Sequence, residues 1–598
     1  MTTTSTRPHE LPVQELERVI LDQRPDPACR GAAWVREIEE IDAYRRFYQL
    51  ALLASGGVAI NGIGGAQPPA PGAGPGTPPA AAEVASQLGE AFPLDIGSNA
   101  YGIGREQTDN GKGLLLGNPH FPWDGTERFY QAHATIPGKM DVQGGALFGV
   151  PVVLIGNTQN LAWSHTVSTA FRFTPFELTL VPGSPTTYLV DGQPKEMERD
   201  ELVVEVKQPD GSVKPQTRTL YTTQYGPVFT ELLGLPLFPW QQGKAFALGD
   251  ANADNFRYLN HFFETNMAQS VREYDQVLRR NQGIPWVNSI AADSSGEAYY
   301  ADISVVPHVT DEHASRCNTA MGRGTFAALG LPVLDGARSS CQWGRDASAI
   351  QPGTFGPNEN LPSMFRSDYV MNSNDSYWLG NLKQRLEGFP RIVGDEKTER
   401  TLRTRLGLLM VHDQRFSQSK LQDTVFNNRQ YAGELWRDAL LPVCDSTPGQ
   451  ADACAALRAW NVRDDLDSRG ALLFRRIAQR LLASPNATAP APPWTRQFSE
   501  DDPVNTPSGL NAADPRVRQA IVDAADELRG LQIPLDAKLG DVQAEERNGE
   551  RLPIHGGPGT AGVFNALNVS ASDLKPKTGY GTIPHGSSYV QVVGFDDA

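Results

Sequence analysis

The most constraining feature of the sequence is a serine directly after a glycine, Gly97-Ser98, followed closely by His120 in a Gly-Asn-Pro-His motif. Residues 98–104 alternate in the manner of a strand, residues 109–113 form a turn signal, and residues 114–120 resemble a buried return strand. The pattern predicts a β-hairpin that starts at Ser98 and places a polar loop carrying His120 beside it. For the Gly-Ser dipeptide alone, an ordinary turn is the alternative interpretation.

A serine that begins a chain has a chemical advantage over an internal one. Its hydroxyl is a weak nucleophile until a base removes the proton, and a free α-amine, with a pKa of about 7.7–8.0, can serve as that base. Cleavage between Gly97 and Ser98 would free this amine. Glycine before the serine leaves room for the hydroxyl to approach the carbonyl. We therefore expect a precursor that activates itself by an internal cut.

Residues 97–125, 160–170 and 370–380 resemble the penicillin acylase (peptidase S45) branch of the N-terminal nucleophile (Ntn) hydrolases, nearest to the acyl-homoserine lactone and aculeacin A acylases. The resemblance implies an α+β fold of four αββα layers, with two facing antiparallel sheets between helices. It also implies a partial, helical small subunit in residues 1–65, a Pro/Gly-rich linker and spacer propeptide in 66–97, and a large subunit in 98–598. The two subunits would form a heterodimer from one precursor.

The resemblance further implies the residues of an amide-cleaving site. Ser98 would be the nucleophile with its freed amine as base, and His120 would contact that amine. The Val167 backbone N–H and the Asn374 side chain would bind the oxyanion, a contribution that usually dominates catalysis. An Asx turn is the alternative for Asn374, and a buried structural histidine is the alternative for His120. His165, close to Val167, is interpreted as structural.

Two further sets of residues are assigned by the same resemblance. An arginine that orients the site corresponds to Arg400 or Arg403, of which we favour Arg400. Phe121, Trp123 and Trp286 are candidates for the wall of an apolar acyl pocket, with ordinary core packing as the alternative.

The implied reaction is hydrolysis of an amide between an apolar acyl chain and a polar amine, which makes the partner a small N-acyl molecule. Acyl-homoserine lactones are the first candidate substrates. Cyclic lipopeptides of the aculeacin or echinocandin type and penicillins are the alternatives. An inactive remnant or a ligand-binding relic is the alternative of a different class.

Composition excludes several other classes of function. The formal net charge of −16 argues against nucleic acid or an anionic membrane as partner, and no apolar run reaches the roughly 20 residues of a bilayer span. The ten histidines show no zinc-site spacing. Penicillin acylases proper bind calcium partly through an acid just past the oxyanion strand, and residues 168–172 contain no acid. We therefore expect neither a metal nor a cofactor.

The cysteines bear on the compartment. Cys317 with Cys341, and Cys444 with Cys454, have spacings that suit local disulfides, while Cys29 is left over. Five reduced thiols are the alternative. The resemblance implies a periplasmic or secreted enzyme, although the first residues show no signal peptide. Family members also have a longer small subunit and continue further at the end, so we expect that the chain lacks part of its natural beginning, with the partner of Cys29, and part of its natural end.

Overall fold

The computed structural model describes residues 39–70, 79–91, 96–482, 491–569 and 573–596. Cys29 and part of the predicted linker, 71–78, lie outside the described residues. Helices and antiparallel sheets are mixed along the chain, which confirms the α+β prediction. The proposed subunit boundaries remain predictions.

The strands are mostly short and, from Ser98 to about residue 300, dominate the chain. In chain order they are β1 Gly97–Ile103, β2 Leu114–Pro122, β3 Phe129–Ile136, β4 Met140–Leu147, β5 Ile155–Asn157, β6 Leu161–Val167, β7 Phe173–Val181, β8 Ser184–Val190, β9 Gln193–Glu196, β10 Glu198–Lys207, β11 Val213–Thr223, β12 Gly226–Pro227, β13 Lys244–Asp250, β14 Val287–Asp293, β15 Ala298–Ala301, β16 Leu334–Asp335, β17 Ser363–Arg366, β18 Tyr369–Asn372, β19 Ala544–Arg547, β20 Glu550–Pro553, β21 Leu567–Asn568, β22 Leu574–Lys575, β23 Gly579–Tyr580, β24 His585–Ser587 and β25 Gln591–Gly594.

The helices concentrate before Ser98 and after residue 400. In chain order they are α1 Glu40–Leu52, α2 Ile60–Gly65, α3 Ala81–Ala91, α4 Tyr258–Thr265, α5 Val271–Asn281, α6 Asp311–Cys317, α7 Ala320–Leu329, α8 Leu402–Val411, α9 Gln418–Phe426, α10 Tyr431–Asp445, α11 Ala451–Ala459, α12 Ala471–Leu481, α13 Pro515–Gly530 and α14 Leu539–Val542.

Two antiparallel sheets form the centre of the molecule. The first has the order β18-β1-β2-β24-β21, with β25 also paired to β2, and the second has the order β17-β15-β14-β6-β5-β4-β3. Helices cover both outer faces. The core that lies on the first sheet includes residues of α8, α10, α12 and α13. On the second sheet, the ring centroid of Tyr274 in α5 lies 6.4 Å from that of Trp163 in β6. The layers are therefore helix, sheet, sheet and helix.

The alternation along β1 explains how this strand serves both cores. Tyr101 and Ile103 are fully buried on the helical side, and the Tyr101 hydroxyl donates to the Gly407 carbonyl of α8 at 2.7 Å. Ala100 points to the second sheet, as the two-residue period of a strand requires. Because both faces are buried, the register of β1 is strongly specified.

Glycines let the two sheets approach each other closely. A Cβ atom added to Gly102 of β1 would lie 2.6 Å from the Ala291 carbonyl oxygen of β14. A Cβ atom added to Gly117 of β2 would lie 2.7 Å from Ser164 Oγ of β6. Since a backbone oxygen cannot move aside as a side chain can, Gly102 is the stricter requirement.

The helices before Ser98 pack on the rest of the chain. Leu50 of α1 is buried, its carbonyl accepts the Trp286 indole N–H at 2.8 Å, and Phe47 packs edge-on against Tyr258 with ring centroids 5.4 Å apart. α3, in the predicted spacer, buries Val84 and Leu88 completely in a separate apolar cluster. Both segments therefore have apolar faces that are covered in the uncut chain.

No single helix among the described residues has the length and apolar character to cross a membrane. By length and composition alone, Glu40–Leu52 and residues 56–65 meet the criterion together, but they are bent by 80° at the break between them.

Both predicted disulfides are confirmed. Cys317 pairs with Cys341 at a Cα–Cα distance of 5.3 Å, and Cys444 pairs with Cys454 at 5.6 Å. The second bridge joins α10 to α11 in the helical layer.

Replacing Gly102 by valine should lower the free energy of unfolding by about 2–3 kcal/mol or prevent folding, because the added carbons overlap the Ala291 carbonyl. Urea unfolding of the variant and the wild type measures the difference. Gly581→Val is the matched control, since nothing lies within 4 Å of a Cβ atom added there. Equal stability of Gly102→Val and wild type would contradict this account of the sheet packing.

Candidate active site

Ser98 lies at the start of β1 and is 2% exposed. Its backbone N–H donates to Asn374 Oδ1 at 2.7 Å, and its carbonyl accepts from Arg403 Nη1 at 2.9 Å. Its hydroxyl donates to the Gly97 carbonyl. The serine is thus held at three points, with its hydroxyl against the peptide bond that the sequence predicts to be cut.

The hairpin predicted from the sequence brings His120 to this point. β1 and β2 are antiparallel, with Gly97 opposite His120 and Ser98 opposite Pro119. A Cβ atom on Gly97 would lie 2.9 Å from Asn374 Oδ1 and 3.5 Å from His120 Nδ1. Glycine therefore allows the close approach of these groups. Burial, and secondarily the Arg403 charge, lowers the pKa of His120 well below its ordinary value, so the imidazole is neutral at neutral pH.

Asn374 follows β18, the other neighbour of β1, and has a left-handed backbone with φ of 74°. Its Oδ1 accepts from Ser98, and its Nδ2 donates to the Val167 carbonyl at 3.0 Å. The Asx turn in this segment is made by Asn372, whose Oδ1 accepts the Asn374 N–H at 2.7 Å. The structure therefore brings Asn374 and Val167 together beside Ser98.

The prediction that Arg400 is the arginine beside Ser98 is wrong, because Arg403 occupies that position. Arg400 precedes α8 and turns away, donating to Ser376 Oγ at 2.9 Å and to the Asp395 carbonyl at 3.1 Å. Arg403 lies in the first turn of α8 and reaches β1. Because the helix begins only at Leu402, the two arginines do not share a helical face.

Arg403 binds three acceptors of the site. Besides the Ser98 carbonyl, its guanidinium donates to Asn99 Oδ1 at 2.7 Å and to Asn374 Oδ1 at 2.8 Å. Burial lowers its pKa to about 10, which leaves it cationic at neutral pH. The guanidinium therefore fixes the direction of both asparagine amides.

A cavity opens at Ser98. Phe121 and Trp286 lie in its wall with their rings stacked at a centroid distance of 6.4 Å, as the sequence predicted. Its lining is mostly apolar and consists of Ser98, Pro119, Phe121, Phe129, Leu147, Leu154, Ile155, His165, Val167, Tyr258, Phe262, Pro285, Trp286 and Val287.

The prediction that Trp123 lines the pocket is wrong. β2 ends at Pro122, so the two-residue alternation that would put Trp123 on the face of Phe121 stops there. Trp123 packs instead against the core of the helical layer, and its indole N–H donates to the Ser587 carbonyl at 3.1 Å.

His165 lies in the cavity wall, closer to the site than its structural interpretation implied. Its Nδ1 lies 3.0 Å from the Asn288 carbonyl, and burial lowers its pKa to about 4. A neutral imidazole at neutral pH is therefore part of the lining.

The sequence analysis missed Asn99 and Asn118. Asn99 donates from Nδ2 to Asn118 Oδ1 at 2.9 Å, and His120 Nε2 lies 3.1 Å from the same oxygen. Asn99 directly follows Ser98 and Asn118 lies two residues before His120, and these positions were the signal that the sequence offered.

Within the described ranges, no group of three or more His, Cys, Asp or Glu side chains is placed to hold a metal ion. The expectation of no cofactor stays a prediction.

Comparison with known proteins agrees with this geometry. A family model described as penicillin amidase matches residues 14–598. Aculeacin-A acylase of Actinoplanes utahensis is 42% identical over 97% of this chain and 73% of its own length. The acyl-homoserine lactone acylases PvdQ of Pseudomonas fluorescens and Pseudomonas syringae pv. syringae are 38% and 39% identical, over 95% and 96% of this chain and 72% and 73% of theirs.

The fold agrees as well. A thermostable penicillin G acylase from Alcaligenes faecalis superposes with a TM-score of 0.51 and 16% identity, over 72% of this chain and 78% of that chain. This similarity concerns the fold and confirms the predicted Ntn-hydrolase sandwich. The chain therefore belongs to the penicillin amidase family and is an amide-cleaving acylase.

Proposed function

We propose that the chain cuts itself between Gly97 and Ser98, and that the large fragment then hydrolyses small N-acyl substrates with Ser98 as the nucleophile. The observation that carries this proposal is the convergence of Asn374, Arg403 and an apolar cavity on one buried serine at the start of a strand.

The contacts of the uncut chain support the self-cleavage step. The Ser98 hydroxyl lies against the Gly97 carbonyl, whose carbon it attacks. The Gly97–Ser98 C–N bond breaks, the hydroxyl proton passes to the departing nitrogen, and an ester forms between Gly97 and Ser98 Oγ. Water hydrolyses this ester and leaves a Gly97 carboxylate and a free Ser98 amine.

The same groups then act on the substrate. The free amine removes the Ser98 hydroxyl proton as Oγ attacks the substrate carbonyl, and the Val167 N–H and Asn374 Nδ2 bind the resulting oxyanion. Asn374 Nδ2 carries two hydrogens, so one can bind the oxyanion while the other keeps its bond to the Val167 carbonyl. The amine product departs with the proton, and water releases the acid from Ser98. One lost oxyanion donor costs about 3–4 kcal/mol of activation free energy.

The cavity points to an apolar acyl chain as one half of the substrate. Aromatic and aliphatic side chains line it, and each buried methylene contributes about 0.8 kcal/mol. Acyl-homoserine lactones are the proposed substrates. Cyclic lipopeptides are the second candidate, favoured by the 42% identity to aculeacin-A acylase, and they present the same pairing of an apolar acyl chain with a polar amine.

We also propose that the small and large fragments remain a heterodimer. Leu50 and Phe47 of α1 are buried, and the Leu50 carbonyl binds the indole of Trp286 in the cavity wall, so the small fragment supports that wall. The two disulfides favour an oxidising compartment, periplasmic or extracellular. No cofactor takes part in the proposed reaction.

On a denaturing gel, the purified protein should give two or more fragments, with Ser98 as the first residue of the largest. Ser98→Ala should remain one uncut chain, because it lacks the attacking oxygen. Ser184→Ala, on the distant strand β8, is the matched control and should be cut normally. Cleavage of Ser98→Ala would assign the cut to another protease. An uncut wild type would favour the alternative that the chain is an inactive remnant or a ligand-binding relic.

Replacing Phe121 by alanine should move the preferred acyl chain to greater length, because the removed ring leaves room in the cavity. For the chain length that suits the wild type, loss of about 1.5–3 kcal/mol of apolar contact should lower kcat/KM about 10- to 100-fold. A series of acyl-homoserine lactones measures both effects. Trp123→Ala removes an aromatic ring outside the cavity and should leave the preference unchanged. An identical shift in both variants would contradict the assigned wall.

A further inference from the structure

We propose that Asn118 is a positioning residue that holds His120 in a single tautomer, with the ring proton on Nε2 and the unprotonated Nδ1 facing Gly97 and Ser98. This inference rests on the proposed function of Ser98 and extends it to the state of its neighbouring base. It follows from a chain of hydrogen bonds in which each donor dictates the next acceptor.

This series of hydrogen bonds begins at Arg403, whose guanidinium can only donate. Its Nη1 lies 2.7 Å from Asn99 Oδ1, so the oxygen of the Asn99 amide faces the arginine. The nitrogen of that amide, Nδ2, therefore faces the opposite side, toward β2. Because the Arg403 guanidinium cannot accept a hydrogen bond, it sets the direction of the Asn99 amide.

Asn99 Nδ2 has two hydrogens, and two carbonyl oxygens take them. The Phe564 carbonyl lies at 2.7 Å and Asn118 Oδ1 at 2.9 Å. His120 Nε2 also lies near, at 3.3 Å, but no hydrogen remains for it. Asn118 turns its oxygen toward Asn99 and His120, because its nitrogen donates on the other side to Ser587 Oγ, whose own hydrogen goes to Asn565 Oδ1.

His120 Nε2 lies 3.1 Å from this same Asn118 Oδ1. An amide oxygen only accepts, so Nε2 must carry the hydrogen. The imidazole is buried and neutral, which leaves Nδ1 without a proton. Nδ1 is also the ring nitrogen on the side of Gly97, 3.5 Å from the position of a Cβ atom built there.

Asn118 is itself held from behind by the C-terminal strands. Its Nδ2 donates to Ser587 Oγ at 2.9 Å, and Ser587 Oγ donates to Asn565 Oδ1 at 2.8 Å. Ser587 ends β24, which pairs with β2 and places Ser587 opposite His120. Residues more than 440 positions downstream thus restrain the histidine through Asn118.

The tautomer determines whether the freed Ser98 amine can act as a base. With a proton on Nδ1, the imidazole would donate to the lone pair of the amine and block it. With Nδ1 unprotonated, the ring accepts an N–H of the amine and leaves its lone pair directed at the Ser98 hydroxyl. Asn118 would therefore act on the rate of the chemical step and hardly on substrate binding.

Two substitutions of Asn118 separate this role from a structural one, measured on the cleaved heterodimer as kcat and KM against pH. Asn118→Leu removes the acceptor, so kcat should fall at least about tenfold at every pH with KM little changed. Asn118→Asp keeps an acceptor but adds a charge. Arg403 is the cationic group facing His120, and a carboxylate beside the ring should raise its pKa by about 1–3 units. The same carboxylate also raises the pKa of the neighbouring Ser98 amine, so the acid limb of kcat, which amine and ring set together, should move upward, with activity near that of the wild type above it.

Asn157→Asp, the same change on β5, is the matched control and should keep the wild-type profile. The inference is overturned if Asn118→Leu retains kcat within about twofold, or if the profile of Asn118→Asp superimposes on that of the wild type. Failure of the proposed function has a different signature, since the wild type itself would then show no Ser98-dependent cleavage.

A direct measurement covers the case in which the Asn118 variants do not fold or do not cut themselves. In ¹⁵N-histidine-labelled, uncut Ser98→Ala protein, the His120 ring signals can be assigned by their loss in the additional variant His120→Gln. The Nδ1 shift should be that of an unprotonated nitrogen and the Nε2 shift that of an N–H. The reverse pattern overturns the inference whatever the variants do.

Discussion

The hydrogen bond from the Ser98 backbone N–H to Asn374 Oδ1 is the interaction on which the rest of the site depends. It joins the start of β1 to the residue that follows its neighbour β18, and it turns the Asn374 amide so that Nδ2 faces Val167. Arg403 binds the same Oδ1 and leaves the amide no other direction. In the uncut chain the Asn374 side chain therefore accepts the Ser98 N–H, and this same side chain is proposed to bind the oxyanion.

The position of the cavity follows from the way the two sheets pack. Gly102 and Gly117 allow them to approach closely along the middle of β1 and β2. Toward the Ser98 end of β1, large side chains such as Phe121 and Trp286 surround a space. An apolar pocket therefore opens beside Ser98, and α1 contacts its wall through the Leu50 carbonyl.

Local sequence signals predicted the parts of this site that depend on neighbouring residues. The Asp109–Gly113 turn between two apolar runs predicted the hairpin, and the observed pairing of Gly97 with His120 is the register that brings the histidine to the Gly97–Ser98 bond. The short separations within each cysteine pair likewise predicted both disulfides. In the wall of the pocket, Phe121 and Trp286 were predicted from the family resemblance.

The remaining residues depend on tertiary contacts that no local pattern reveals. The sequence offers Arg400 and Arg403 as equal candidates for the arginine of the site. The start of α8 at Leu402 decides which of them reaches Ser98. Trp123 was misplaced because β2 ends one residue before it. The restraint on His120 comes through Asn118 from Ser587, which pairs with β2 only in the folded chain.

The central claim is that the Ser98 hydroxyl, activated by its own freed amine, carries the acyl group during turnover. Rapid acid quenching of the cleaved enzyme during turnover of a slowly deacylated N-acyl substrate, followed by peptide mass spectrometry, tests this claim most directly. The account predicts one added acyl mass on the peptide that begins with Ser98 and none on the same peptide after amine acetylation. An acyl group on any other residue, or turnover undiminished by acetylation of that amine, would contradict it.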